Sequence, residues 1–389
     1  MALQTSGSIS LYDIRDEFEQ SNPVPLQDYY RGGGIVPDIS ANSSIPTSGS
    51  ISVQDFYGAM NLSPFTVYHG TDSVPDTYNE ITLPTPVPVG ESFIMVSATG
   101  TEQPRRTHGK WTLIDASGGN WTKMKAEFTN AHNDRMIHWQ VVTCPDFNVQ
   151  QIELSPSGTS HNQSISSVNF SSTFVYHTNV HSSRLYESAY SATLTSSTNV
   201  NFERTVSGSA SWDTTLFVVD WAGADVSRTT INLSSASTTT SVSGINRNSS
   251  FVLYSFSTSQ VAGDIPESSD ALTRMYLSSD TTLETQRGTS GGSLRYYIQI
   301  ISHPLISVQY DTATSAFSSV NFSISSVDTS RSFIALNPIF GNGYTPSGNS
   351  GGLELGFNRW NFTSSTNAQK NRFLTNGRDI ALALQVVSS

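Results

Sequence analysis

The stretch VSGINRNSSFVLYS, residues 242–255, places an apolar strand directly after a turn of small polar residues. Three further stretches repeat this design, with a phenylalanine at the same point. They are PTPVPVGESFIMVS (84–97), ISSVNFSSTFVYH (165–177) and ISSVDTSRSFIALN (324–337). The phenylalanines recur at spacings of 81, 77 and 82 residues, and they are Phe93, Phe174, Phe251 and Phe333. A regular period of this kind indicates tandem repeats.

Two more elements recur in the same order along the chain. The first is an apolar strand, found as IHWQVVTC (137–144), LFVVDW (216–221), YYIQIIS (296–302) and LALQVVSS (382–389). Its aligned positions are Val142, Val219, Ile301 and Val387. The other precedes this strand as LTSSTNVNFER (194–204), LSSDTTLETQR (277–287) and FTSSTNAQKNR (362–372), and LIDASGGNWTKMK (113–125) is a weaker counterpart. Three elements in one order make a four-unit repeat the main feature of the chain.

These repeats predict a mostly β fold. Each unit of about 80 residues has room for six or seven short strands, and near-continuous apolar runs such as FIMV and IQII suit the buried strands of a sandwich. We therefore predict four tandem antiparallel β-sandwich-like repeats in series. Their boundaries are 62–150, 151–226, 227–308 and 309–389.

The first 61 residues have a different pattern and form a predicted N-terminal anchoring segment with three short capped helices. Ser10 with Asp13, and Ser52 with Asp55, read as capping boxes that begin two of the helices. The stretch PLQDYYRGGG, from residue 25, suggests the third, ended by its glycines. Because the segment has few apolar residues, we expect it to lack an independent core and to pack on the rest of the chain, a symmetry mate or a partner.

Composition and charge exclude several function classes. The chain of 389 residues carries 20 Lys and Arg against 31 Asp and Glu, a formal charge of −11, without a basic cluster. This argues against nucleic-acid binding and against docking on an anionic membrane. No apolar run is long enough to span a bilayer, and we see no signal peptide, so we expect no membrane insertion. The one cysteine, Cys144, allows no disulfide within the chain and reads as a core residue beside a strand.

The sequence offers little catalytic chemistry. The nucleophile elbow, the phosphate-binding loop and the zinc-helix motif are all missing. His177 and His181 would lie about 13 Å apart on one strand face, too far to share a metal. We predict a protein that is not an enzyme, with no catalytic, cofactor-binding or metal-binding residues. Acidic residues that would suit a polysaccharide depolymerase, a less favoured alternative, are Asp213, Asp220 and Asp225.

The six tryptophans divide into two groups. Trp139 and Trp221 lie in the recurring apolar strand and are expected in the core. The other four are candidates for exposed platforms on which sugar rings stack, and they are Trp111, Trp121, Trp212 and Trp360. On this basis a second interpretation is an adhesin module that binds a host-surface glycan.

The N-terminal segment resembles a module of structural proteins in tailed bacteriophages, especially phages of marine bacteria and cyanobacteria. The likeness rests on SGSISLYDIRDEFEQSNPVPLQDYYRGGGIVPD followed by IPTSGSISVQDFYGA, about 55 residues in the same wording and order. Departures from the pattern are Tyr12, Gln20 and the extra Gly34. The resemblance implies a virion protein, assembled in the host cytoplasm, usually a tail or fibre component, and it brings no catalytic residues.

The resemblance and the residues together predict a tail fibre or tail-appended protein whose N-terminal segment docks on other virion (tail or baseplate) proteins while the β repeats project outward. A head-decorating or whisker protein is the alternative. The class also implies a homo-oligomer, with a trimer as the first expectation. The residues expected to dock are Ile14, Arg15, Phe18, Tyr29, Tyr30, Arg31, Phe56 and Tyr57.

Overall fold

The computed structural model describes residues 3–18, 25–33, 35–36, 42–61, 65–99, 109–131, 133, 135–156, 158–181, 189–204, 212–258, 273–287, 294–315, 319–336, 343–344, 359–371 and 380–389. Within them the chain is mostly β, as predicted, with one short α-helix near its start. The β part consists of repeated three-stranded antiparallel sheets in a sandwich-like arrangement.

The N-terminal segment contains the three predicted short helices. The helix α1 spans Leu11–Glu17, and two 3-10 helices span Leu26–Tyr29 and Val53–Phe56. Both predicted capping boxes are present. The Asp13 amide donates to Ser10 Oγ at 3.1 Å, and the Ser10 amide donates to Asp13 Oδ2 at 2.7 Å. The short helices therefore begin where the sequence indicates.

This segment has a hydrophobic core of its own, so the prediction that it could not form one is wrong. The buried residues of this core are Leu3, Ile14, Phe18, Val36, Ile45, Phe56 and Ala59. The extended links between the helices supply Val36 and Ile45, which the count of helical residues had left out. The Leu3 amide also donates to the Ala59 carbonyl at 2.8 Å, which ties the two ends of the segment together.

The rest of the chain forms four units of similar strand order. Unit one contains β1 (Thr66–Ser73), β2 (Tyr78–Pro88), β3 (Ser92–Thr99), β4 (Lys110–Ser117), β5 (Asn120–Glu127) and β6 (Met136–Thr143). Unit two contains β7 (Phe147–Leu154), β8 (Ser160–Ser164), β9 (Thr173–His181), β10 (Ser191–Ser196), β11 (Asn199–Glu203) and β12 (Trp212–Trp221).

Units three and four follow the same plan, each with a short 3-10 helix before its third strand, at Arg247–Ser249 and Thr329–Arg331. Unit three contains β13 (Asp225–Leu233), β14 (Ser237–Ser241), β15 (Ser250–Thr258), β16 (Thr273–Ser279), β17 (Thr282–Arg287) and β18 (Leu294–Ser302). Unit four contains β19 (Ser307–Ser315), β20 (Ser319–Ser323), β21 (Ser332–Ile334), β22 (Gly343–Tyr344), β23 (Arg359–Ser364), β24 (Asn367–Asn371) and β25 (Ile380–Ser388).

Each unit has two antiparallel sheets. In one, the last strand lies between the first and the third, as in the order β1-β6-β3. In the other, the strand before last lies between the second strand and its own predecessor, as in β2-β5-β4. The first strand thus pairs within its own unit, and the predicted boundaries at 150/151, 226/227 and 308/309 fall inside β7, β13 and β19.

The two apolar elements that recur in the sequence are direct cross-strand partners. Their paired positions are Phe93 with Val142, Phe174 with Val219, Phe251 with Ile301, and Phe333 with Val387. Such opposed residues on one face of an antiparallel pair stabilise the sheet. The same pair therefore marks the same place in all four units.

The four units close into a ring, which the sequence does not indicate. The fourth strand of one unit contacts the third strand of the next, as β4 contacts β9 and β10 contacts β15. In the same way β23 of unit four contacts β3 of unit one. We call each such contact a seam and name it by its two units.

Equivalent hydrogen bonds appear at three of the seams. At the seam of units four and one, the Trp360 amide donates to Ser97 Oγ at 3.0 Å. The corresponding pairs elsewhere are the Trp111 amide with Thr178 Oγ1 at 2.9 Å and the Ala192 amide with Ser255 Oγ at 3.0 Å. The contact that closes the ring is therefore built like those between consecutive units.

Buried glutamines make a second set of bonds across the seams. Gln140 of unit one accepts from the Ile334 amide at 2.7 Å and donates to the Ile334 carbonyl at 2.9 Å. Gln299 pairs with Val175 in this way, and Gln385 with Val252. A buried amide that meets both hydrogen-bonding groups of one backbone residue avoids the cost of unpaired polar atoms. These glutamines fix the units in register.

The repeat phenylalanines meet at the centre of the ring. Ring centroids lie 5.7 Å apart for Phe93 and Phe174, 6.3 Å for Phe174 and Phe251, and 5.6 Å for Phe251 and Phe333. All three pairs are edge-to-face, an arrangement that aromatic rings favour. They belong to one hydrophobic cluster that draws residues from all four units.

Candidate functional site

An apolar groove opens on the N-terminal segment between α1 and the two 3-10 helices. Its volume is about 460 Å³, and we call it the N-terminal groove. Its lining residues are Leu11, Tyr12, Ile14, Arg15, Leu26, Tyr29, Ile51, Ser52, Val53 and Phe56.

Three large side chains at the groove are strongly exposed. The exposed fractions are 72% for Leu11, 68% for Tyr12 and 64% for Leu26. The helix α1 has only two turns, and Ile14 and Phe18, four residues apart, provide its buried side. Clustered apolar surface of this kind is typical of an interaction site.

Ile14, Phe18 and Phe56, three of the predicted docking residues, are buried in the core of the segment, with 2%, 1% and 4% of their surface exposed. The prediction that they fill grooves of a partner is therefore wrong. Their apolar side chains satisfy each other, and Phe18 and Phe56 meet edge to face at 6.3 Å. Ile14 and Phe56 form part of the groove lining and support the exposed residues above them.

Two of the predicted docking residues line the groove itself. The half-buried Tyr29 meets Phe56 edge to face at 6.3 Å. The Arg15 guanidinium lies 4.8 Å from the centre of the Tyr12 ring, and its Nη2 lies 2.6 Å from Asp16 Oδ1. Arg15 thus holds Tyr12 at the groove wall, while its charge is already paired.

The remaining three predicted docking residues tie loops of the segment together. The Tyr30 hydroxyl donates to the Gly49 carbonyl, and the Tyr57 hydroxyl donates to the Gly7 carbonyl. Arg31 Nη1 donates to the Ser43 carbonyl at 3.2 Å. These bonds join parts of the segment that are far apart in sequence and keep the groove in shape.

Sequence reasoning missed the residues that form the exposed part of the groove, namely Leu11, Tyr12, Leu26, Ile51 and Val53. It favoured aromatic and basic side chains. A signal was nevertheless present, because Leu11 and Leu26 stand at or next to predicted helix starts, where the first turn has only a short helix to cover it.

The tryptophans are mostly core residues. Trp139 and Trp221 are buried, as predicted, with 3% and 1% of their surface exposed. Trp111 and Trp360 are buried as well, at 4% and 1%, so the prediction that they are exposed stacking platforms is wrong. Both lie on the fourth strand of a unit, whose inner side packs in a seam. Trp121 is half-buried against the core, and the side chain of Trp212 lies outside the described residues.

Two histidines lie side by side at the seam of units four and one. His69 Nε2 lies 2.9 Å from the Thr329 carbonyl, and its ring stacks on His138 with centroids 5.7 Å apart. Burial, together with the nearby His69 and Arg359, lowers the pKa of His138 to about 3. Burial also lowers the pKa of His69. Both rings are therefore neutral near pH 7.

The described residues contain no cluster of three or more His, Cys, Asp or Glu side chains able to hold a metal ion. His177 is buried, and the side chain of His181 lies outside the part of the chain that is described. Cys144 is a buried core residue, as predicted, and burial raises the pKa of its thiol to about 12. A helix long and apolar enough to cross a membrane does not occur among the described residues.

The chain matches no model of a known protein family, and no curated protein matches it either.

Proposed function

We propose that this chain is a structural component of a tailed-phage virion, most plausibly a tail fibre or tail-appended protein. The N-terminal groove docks it to another virion protein, and the β ring extends outward. The observation that carries the proposal is the cluster of exposed apolar side chains at the groove, on a segment whose core is separate from that of the ring. The resemblance of this segment to a phage virion module supports the same function.

The charge of the segment indicates which partner fits the groove. Residues 1–61 contain seven acidic and two basic residues, so the net charge is −5. A second copy of the same segment would bring like charges together. We therefore expect a different virion protein that inserts apolar side chains and surrounds them with basic ones. Any homo-oligomer, with a trimer as first expectation, would then form through other surfaces.

A matched pair of variants tests the docking function. Leu11→Asp combined with Leu26→Asp places two charges in the groove, and both side chains are already exposed, so folding is unaffected. We expect particles from an infected host to lose this chain while its soluble level stays normal. The control is Phe170→Asp, which changes an exposed apolar residue of the ring. Normal incorporation of the double variant would contradict the proposal.

A head-decorating or whisker protein is the second candidate, because its docking needs are the same. Immunogold labelling of whole particles separates the two, since label at the tail supports the proposal and label on the head supports the alternative.

We propose a structural rather than an enzymatic function. Two carboxylates considered for polysaccharide cleavage have structural partners, because Asp220 accepts from the Ser172 hydroxyl at 2.5 Å and from the Asn169 amide at 2.8 Å, and Asp213 accepts from the Ser155 hydroxyl. These bonds shape turns and strand ends. Polysaccharide cleavage that disappears on replacing a carboxylate pair would contradict a structural function.

A further inference from the structure

A polar pocket lies at the seam of units two and three. It has a volume of about 190 Å³ and is formed by β10 and β11 on one side and by β13 and β18 on the other. Its lining includes Ser191, Thr193, Glu203, Thr230, Arg295 and Tyr297. We call it the seam pocket.

The seam pocket carries no net charge. Arg295 Nη1 lies 2.8 Å from Glu203 Oε2, so the two charges compensate each other. The remaining lining consists of hydroxyl groups, one amide and the ring of Tyr297, whose residue is only 8% exposed. Such a set offers hydrogen-bond donors, acceptors and one aromatic surface in a small space.

The seam of units one and two shows how the same place looks when it is filled. Lys110 pairs with Glu127 across β4 and β5, as Ser191 pairs with Glu203 across β10 and β11. Lys110 Nζ lies 2.7 Å from Glu127 Oε2 and 2.8 Å from Glu153 Oε2. A lysine side chain thus occupies the place that is open beside the short Ser191.

The opposite wall of the two seams corresponds as well. Glu153 pairs with Thr215 across β7 and β12, as Thr230 pairs with Tyr297 across β13 and β18. At the filled seam the Thr112 and Thr215 hydroxyls bond to each other at 2.7 Å. At the seam pocket Tyr297 stands in place of Thr215, and the ion pair Glu203–Arg295 lies to one side. The pocket is therefore a difference between equivalent seams and not a general feature of the repeat.

We propose that the seam pocket binds one neutral sugar residue of a glycan. A sugar ring offers several hydroxyl groups, which match the lining hydroxyls and the paired carboxylate and guanidinium, and an apolar face that suits Tyr297. A phosphate or sulfate would need an excess of positive charge, and Glu203 cancels the charge of Arg295. This inference deepens the proposed function at the host surface and rests on it only for its biological meaning.

The test uses the full chain and measures saturation-transfer NMR with D-glucose, D-galactose, D-mannose and their N-acetylated forms. We expect at least one sugar to bind. Ser191→Lys rebuilds the filled seam, because the new ammonium lies beside Glu203, and it should weaken that binding at least tenfold. Ser237→Lys, which adds the same charge on the exposed strand β14, is the matched control and should leave binding unchanged.

A second pair of variants covers the case in which Ser191→Lys disturbs folding. Thr193→Val removes one lining hydroxyl at constant shape and should weaken the binding severalfold, whereas Thr193→Ser keeps the hydroxyl and should retain it. Failure of all six sugars to bind, or equal binding by Ser191→Lys with an intact fold, would overturn the inference. Binding of sulfate that Glu203→Gln strengthens would also overturn it, in favour of an anion site.

The outcome is independent of the docking experiment. Loss of sugar binding with normal incorporation into particles contradicts the seam pocket alone. Sugar binding by a chain that never enters particles contradicts the virion function alone.

Discussion

The N-terminal segment and the β ring treat their large apolar side chains in opposite ways. In the ring, Phe251 and Phe333 are at most 2% exposed and meet their counterparts from other units. In the segment, Leu11, Tyr12 and Leu26 are more than 60% exposed around one groove. The ring therefore satisfies its apolar surface by closing on itself, whereas the segment keeps apolar surface for a partner.

The largest effect is expected at the centre of the ring. Phe251→Ala removes a ring that contacts Phe174 and Phe333, and the cavity should lower the free energy of unfolding by about 3–5 kcal/mol. Equilibrium unfolding in urea, followed by tryptophan fluorescence, measures it. The control is Phe170→Ala, where the side chain is 42% exposed and the loss should be about 1 kcal/mol or less. Equal losses for both variants would show that the phenylalanines do not share a core.

The second effect concerns pH and the seam that closes the ring. The folded state keeps His138 neutral down to a pKa of about 3, while an unfolded histidine titrates near pH 6.5. The unfolded state therefore binds more protons as the pH falls, so stability is full above about pH 6.5 and declines towards pH 3.

We expect a loss of more than about 2 kcal/mol between pH 7 and pH 4. His138→Gln should flatten this decline, measured as the free energy of unfolding at each pH. His161→Gln, at a half-exposed position on β8, is the control and should keep the decline. If both variants keep the wild-type profile, the histidine pair at the seam does not govern the pH dependence.

A smaller effect is expected at the start of α1. Ser10→Ala removes the side-chain acceptor of the capping box and should cost about 1 kcal/mol, which the segment alone bears. Hydrogen exchange of the Phe18 amide, which donates to the Ile14 carbonyl, should quicken about fivefold. The exposed Ser6→Ala is the control. An equal change at the Val252 amide in the ring would mean that segment and ring unfold as one unit.

The smallest effect is expected in the N-terminal groove. Leu26→Ala removes a side chain that is 64% exposed, so the free energy of unfolding should change by about 0.5 kcal/mol or less. Phe56→Ala, at 4% exposure in the core of the segment, should abolish exchange protection of the segment. A large loss for Leu26→Ala would show that this side chain packs in the chain itself.

The repeat and its strand pairing could be predicted from the sequence because they rest on apolar residues at fixed positions. Phe251 and Ile301 face each other in a sheet whose partners lie about fifty residues apart, and the same spacing recurs in each unit. The first strand of each unit escaped the repeat because its residues alternate with exposed polar ones, as in β7. The predicted boundaries therefore fell inside these strands.

Ring closure was harder to predict because it depends on polar contacts between distant units. Gln140 and Ile334 are 194 residues apart, and only the strand pairing brings them together. A sequence signal existed, since Gln140, Gln299 and Gln385 each stand two residues before the aligned Val or Ile. A glutamine inside an apolar strand indicates a buried polar contact.

The N-terminal groove could be predicted only in part. The capping residues located the short helices, because their chemistry is local. Which side chains face outward depends on how three helices of four to seven residues share one small core, and a helix of two turns gives too short a pattern to decide this.

Hydrogen exchange of the Ile334 and Trp360 amides tests the central claim most directly. These amides of unit four donate to Gln140 and Ser97 of unit one, so they are protected only when the ring is closed. A closed ring predicts protection of Ile334 and Trp360 as high as that of Val175 and Val252, which bond to Gln299 and Gln385 at the other seams. Fast exchange of Ile334 and Trp360 beside protected Val175 and Val252 would contradict the account, because the four units would then form an open series.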